Sequence, residues 1–294
     1  MTALQDRVSM QASIVIPHHD DLPRLRRCLA ALMPTVPDGV EVAVVDNASP
    51  TDPGPVLAAE FPALRVLHEP RPGAAHARNR GVAGTTGEVL LFIDADCVPD
   101  ADWVAQGLRL AGAADVIGGA VAVFDETPPP RSGAEAFEAV FAFDFRRYIE
   151  REGFTGAGNM VTTRTVFQAV GPFRPAVSED KDWSQRAVAA GFSLSYAPDL
   201  RVGHPSRSDW PALQRKWRRL TDEMWALHRA EGRGRLTWAG RAALMPVSVL
   251  AHAPRILRSG RLEPGERGPA LATLARLRLA RMGWMLRQAV TAGQ

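Results

Sequence analysis

Asp94 and Asp96 stand one residue apart at the end of an apolar run. The run lies in "EVLLFIDADCVPD" (88–100), where Val89 through Ile93 offer no polar side chain. Along extended backbone, residues i and i+2 point the same way. Two carboxylates so placed repel each other unless positive charge lies near them. Carboxylate oxygens suit magnesium or manganese, and magnesium in particular is usually bound together with substrate phosphates. An isolated Asp-x-Asp equally describes a solvated loop. Asp46 closes a second apolar run, "VEVAVVDN" (40–47). There it could accept hydrogen bonds from nucleobase N–H groups; read alone, it caps a turn. "SEDKDW" brings Glu179, Asp180 and Asp182 to a helix start. A carboxylate there could serve as a general base, and acids also complement the helix macrodipole.

The elements that must position these groups follow from hydrophobic pattern. Strands are expected at 12–17, 40–47, 64–69, 88–93, 115–124 and 193–204. Helices are expected at 22–33, 74–83, 102–111, 135–150 and 178–191. Their alternation implies right-handed crossovers and a mostly parallel sheet flanked by helices. Near-continuous apolar strands imply burial on both faces. In such sheets ligands bind beyond the carboxyl ends of the strands, where Asp46, Asp94 and Asp96 fall.

Composition narrows the class. The chain has 294 residues and is 46% hydrophobic, enough for one large α/β domain plus an appendage, or for two domains. No run of 18 apolar residues occurs, which argues against a spanning helix. The opening "MTALQDRVSM" has no apolar signal core, so cytoplasmic residence is expected. The two cysteines, Cys28 and Cys97, have neither zinc spacing nor a disulfide framework. Charge is split along the chain. Residues 1–204 carry 18 Arg/Lys against 26 Asp/Glu, a net of −8, whereas 205–294 carry 17 against 6, a net of +11.

The order of motifs is specific. "SIVIPHHD", "VVDNAS" and "RPGAAHARNRGVAGTTGEVLLFIDADCVPD" are followed by "TGAGNMVTTRTVFQAVGPF", "SEDKDWSQRAVAAG" and "VGHPSR". The series resembles glycosyltransferase family 2, the inverting sugar-nucleotide transferases of the GT-A fold, over about residues 10–207. The resemblance implies a nucleotide-diphospho-sugar donor, a UDP-sugar by expectation, and a divalent cation, Mn or Mg. It places Pro17, His19, Asp46, Gly73, Arg78, Asn79, Asp94 and Ala95 on the donor side. Asp96, Asp94 and His204 would hold the metal. Asp180, with Glu179, would be catalytic. Gly156, Asn159, Asp182 and Trp183 would lie on the acceptor side. A nucleotidyltransferase would want a Gly-rich phosphate loop after the first strand, and "PHHDDLPRL" has no glycine. A non-catalytic sugar-nucleotide scaffold would not need the intact Asp-x-Asp and Glu-Asp pairs.

Residues 208–294 read as a separate basic helical region, with segments near 236–258 and 267–290. Leu213, Trp217, Leu220, Met224 and Leu227 form an apolar stripe among arginines. The stripe either packs inward or lies on an anionic membrane. In the second case the enzyme is peripheral on the inner face of the membrane and its acceptor is a glycan or lipid-linked. No nucleic-acid motif accompanies the charge.

Overall fold

The computed structural model describes residues 11–175 and 177–291. The stretch read for a signal core and the last three residues lie outside them. The chain divides into two compact units. The first gathers the described residues up to Ala122, with Asp144–Pro175 and Glu179–His204. The second gathers Val123–Phe143 and the described residues from Pro205 onward.

In chain order the elements are β1 (Ala12–His18), α1 (Leu22–Leu32), β2 (Val40–Asp46), α2 (Gly54–Glu60), β3 (Arg65–His68), α3 (Ala74–Ala83) and β4 (Val89–Ile93). Then come β5 (Val98–Pro99), α4 (Trp103–Leu110), β6 (Val116–Phe124), α5 (Gly133–Phe141), α6 (Phe145–Glu152), β7 (Asn159–Thr163), α7 (Arg164–Val170), α8 (Glu179–Ala189) and β8 (Leu194–Pro205). Four helices close the chain: α9 (Trp210–Ala230), α10 (Arg235–Ala243), α11 (Val247–Leu257) and α12 (Pro264–Thr291).

The sheet runs β3-β2-β1-β4-β7-β6-β8-β5. Its first four strands are parallel, and β7 pairs antiparallel with both β4 and β6. The sheet is therefore mixed, with the parallel half built as the alternation of strands and helices requires. β4 shows why its run is apolar throughout. Val89, Leu91 and Ile93 enter one core with α1 and Trp103 of α4. Leu90 and Phe92 enter another with α3, Phe167, Phe173 and Trp183. Alternate side chains feed opposite layers. At Gly81 of α3 a Cβ would collide with Val15, so the residue lets helix and strand approach closely.

The single helix expected at 135–150 is two. Phe143 adopts φ +57°, and Asp144 caps α6 by accepting from the Arg147 N–H. Ser132 and Glu135 close a reciprocal capping box on α5. In the second unit α5 packs against α9 and α12. Phe137, Leu213, Ile256, Leu274 and Leu277 form that core, with Trp217 against it. The α9 stripe is thus turned inward. Some of the arginines are structural too: the Arg281 guanidinium is buried 4.7 Å from the Trp217 ring centroid.

Candidate active site

The site groups sit in the first unit. Asp46 ends β2, and Asp94 and Asp96 follow β4, so all three carboxylates lie beyond the carboxyl ends of parallel strands. Asp46 is buried between two imidazoles. His18 Nδ1 lies 3.4 Å from one oxygen and His68 Nδ1 3.7 Å from the other. His18 Nε2 accepts the Asp21 N–H at 3.2 Å, which leaves the proton on Nδ1, facing Asp46. The neighbour expected from sequence, His19, is exposed instead and bonds the Asn47 carbonyl at 2.8 Å. Pro17 is half-buried in β1 opposite Val45. Strand alternation in "PHH" directs His18 to Asp46, and that register was the signal to use.

Asn47 organises the next loop. Its amide donates to the Glu69 and Arg71 carbonyls and accepts the Gly73 N–H at 2.7 Å. Gly73 holds φ +124° at the start of α3, which favours glycine. One turn on, Arg78 is buried and forks between two acids. It donates to Asp94 Oδ1 at 2.7 Å and to Glu179 Oε1 at 2.8 Å. Burial alone would weaken its charge, but Asp94 and Glu179 more than offset that and raise its pKa. Arg78 thereby ties the strand end carrying the Asp-x-Asp to the start of α8. Asn79 faces elsewhere. Both ends of its amide are bonded to the Phe173 backbone, so it fastens a loop rather than opening toward a donor.

Asp94 and Asp96 divide their partners. Asp94 is turned to Arg78. Asp96 Oδ2 lies 3.3 Å from His204 Nε2. Asp96, Cys97 and His204 each offer one ligand atom, and these lie within 4.8 Å of one another. Burial raises the Cys97 thiol well above its ordinary range, and Asp94 and Asp96 push it further. Asp96 and His204 converge beside a second, partly exposed carboxylate, Asp94, and such a set could hold a divalent cation. Ala95 spaces the two acids and packs on the core below. Gly158 matters as well. A Cβ there would stand 2.5 Å from Asp94 Oδ2, so only glycine lets this loop pass the carboxylate.

Asp180 is next to Glu179 at the start of α8. Burial raises its pKa to about 6, repulsion from Glu179 adds to this, and Arg78 opposes it. The carboxylate accepts the Lys181 N–H at 2.7 Å.

Of the four acceptor-side expectations, those for Trp183 and Asn159 need correction. Trp183 is fully buried, its indole N–H bonded to the Gly171 carbonyl, and it stacks in the aromatic core with Phe167 and Phe173. Asn159 is fully buried too. It ties Ala120 and Leu200 and accepts from Trp103 Nε1. Asp182 is held by Arg186 at 2.8 Å and Arg174 at 3.5 Å. At Gly156 a Cβ would meet the Phe145 ring at 2.5 Å, so this glycine serves packing, while Gly158, which sequence reasoning missed, meets the site.

This fold and site define a GT-A glycosyltransferase. The family description Glycosyl transferase family 2 matches residues 13–171, and the chain belongs to that family. It is 31% identical over 219 residues to glycosyltransferase AglE of Haloferax volcanii, covering 70% of each chain. In fold it is similar to the mannosyltransferase PcManGT of Pyrobaculum calidifontis, solved with GDP-Man and Mn2+. That match has a TM-score of 0.55 and 20% identity, over 96% of this chain and 73% of the other. It is also similar to residues 1–349 of S. aureus TarS, solved with UDP-GlcNAc. Here the TM-score is 0.53 and the identity 14%, over 92% and 90% of the two chains.

Proposed function

We propose that this glycosyltransferase moves a hexosyl group, with inversion, from a nucleoside-diphosphate sugar to a hydroxyl of a glycan or lipid-linked acceptor. We take the donor as a UDP-sugar. The catalytic part is the first unit, working at the cytoplasmic face of a membrane. The observation that carries the reading is the Arg78 fork, which holds the donor-side Asp94 and the α8 start bearing Asp180 in one network.

Asp46, flanked by His18 and His68, receives the nucleobase edge, since a carboxylate accepts N–H donors. Asp96 and His204 would hold the divalent cation, manganese or magnesium, with Asp94 beside them. Such an ion supplies Lewis-acid stabilisation of the departing diphosphate, worth several kcal/mol. Manganese with GDP-Man in the PcManGT structure supports this. Asp180 takes the acceptor proton as the hydroxyl attacks the anomeric carbon opposite the diphosphate. A carboxyl raised to about 6 is half ionised near that pH and is a better base than an ordinary aspartate. Glu179 stays paired with Arg78 and so keeps Asp180 raised without itself reaching the acceptor.

The test is Asp180→Asn. Donor affinity, read by calorimetry with manganese and a UDP-sugar, stays within about twofold. Transfer falls at least about a hundredfold. If turnover survives in this variant and collapses in Asp182→Asn, the base is misassigned.

A further inference from the structure

Helix α11 is apolar on two sides. Ile256 is buried and Val249 packs on the core of the second unit. On the opposite side of the same helix Val247 is 60% exposed and Leu250 77%, with Leu257 at 50%. Leu244, in the turn just before, is 62% exposed. A helix on a water-facing surface ordinarily turns charged or polar residues outward. Here residues 247–254 contain no Asp, Glu, Lys or Arg.

The surrounding charge has one sign. Between Glu231 and Glu263 the sequence holds six arginines and no acid. Arg241, Arg255 and Arg258 flank the apolar side chains and are exposed. A second copy of the same surface would bring like charges together, which is unfavourable at short range. An anionic bilayer offers the complement of both features, negative headgroups above and hydrocarbon below. Among the described residues no helix is long and apolar enough to cross a membrane, so contact through this helix is interfacial.

We propose that α11, with Leu244, is the element that docks this protein on an anionic lipid bilayer. Val247, Leu250 and Leu257 enter the headgroup–acyl boundary, and Arg241, Arg255 and Arg258 engage lipid phosphates. The tryptophan-bearing stripe of α9 is the less suitable element because it is already spent in the core. For its purpose, though not for its contact, this inference rests on the reading of an acceptor at a membrane.

The experiment is co-sedimentation of the full chain with phosphatidylglycerol-containing and pure phosphatidylcholine vesicles, at low and high salt, beside donor turnover in solution without vesicles. The wild type sediments with the anionic vesicles at low salt. High salt weakens the binding, because screening acts within about a Debye length, roughly 8 Å at physiological strength. Val247→Ser with Leu250→Ser lowers partitioning at least about tenfold and leaves solution turnover unchanged, since both side chains face solvent. Arg255→Gln with Arg258→Gln lowers it on anionic vesicles only. The inference is overturned if the wild type stays in the supernatant, or if the serine variant sediments as well as the wild type. It is overturned too if that variant dissolves a dimer instead. Loss of solution turnover in Asp180→Asn separates the catalytic reading from this one.

Discussion

Glu138 in the second unit is a buried carboxyl group and Asp180 in the first a half-buried one, and their surroundings drive them in opposite directions. Burial raises Glu138, but Lys216 and Arg207 reverse this and leave it below the ordinary range. The Lys216 ammonium bonds it at 2.6 Å, and Lys216 itself is lowered to about 8 by burial. Asp180 is raised to about 6, because burial and repulsion from Glu179 outweigh the opposing charge of Arg78, whose guanidinium is bonded to Asp94 and Glu179. A carboxyl whose partners satisfy it is a structural tie. One whose surroundings raise it toward neutral pH is poised to take a proton. The comparison also separates the two halves of the sequence's charge: acids gather at strand ends in the first unit, whereas in the second some of the arginines are buried among core aromatics.

The comparison can be broken most severely at Glu138. Glu138→Ala leaves Arg207 without its counter-ion and removes the carboxylate that holds the Lys216 pKa up against burial. Removing one partner of a buried pair costs on the order of 3–5 kcal/mol. Chemical denaturation is expected to show that loss, and Glu138→Gln should recover part of it. A loss below about 1 kcal/mol would make Glu138 an incidental contact.

The next largest effect is at Arg78. Arg78→Met removes the fork, leaving Asp94 and Glu179 without their shared cation. Since Arg78 opposes the rise of Asp180, the acidic limb of the pH–rate profile, near 6 in the wild type, moves to higher pH. Donor affinity falls as well, by on the order of tenfold, because Asp94 loses the partner that aims it. Arg78→Lys should restore charge but not the two-armed geometry. A profile unmoved in Arg78→Met would cut the link between the strand end and α8.

Much of this was legible in the sequence, and the failures are instructive. The Asp-x-Asp and Asp46 were visible as carboxylates closing apolar strands, and the Glu-Asp pair as acids at a helix start, and the structure brings Asp94, Glu179 and Asp180 into one network around Arg78. The acceptor-side reading failed at Trp183 and Asn159, which are buried in the core. Nothing in a one-dimensional pattern says which face of α8 meets the aromatic core, or which of two glycines in "GAGN" passes Asp94. His18 was passed over for His19, although strand alternation distinguishes them. The α9 stripe left packing and membrane contact open, since periodicity shows that a face is apolar but not what covers it. The antiparallel part of the sheet was hidden as well: β7, "NMVTT", carries only two apolar residues, too few for the pattern to mark a strand.

The subtlest test returns to Asp180 and concerns stability rather than rate. A carboxyl whose folded pKa exceeds its unfolded value binds its proton more tightly when folded. Its favourable contribution is complete below about 4 and is lost as pH rises through about 6, where the half-buried group must ionise beside Glu179. Asn cannot ionise, so Asp180→Asn escapes that loss. Each pKa unit corresponds to about 1.4 kcal/mol, and relaxation around a half-buried charge reduces the yield. The variant should therefore match the wild type at pH 4 and exceed it by on the order of 1–2 kcal/mol at pH 7.5. Thermal unfolding of both proteins across that range, without metal or donor, reads the difference directly. An enzyme that keeps a destabilising carboxylate at the working pH is trading stability for a base. If the two unfolding curves stay parallel from pH 4 to 7.5, Asp180 is not strained in the way its surroundings suggest, and its contrast with Glu138 disappears.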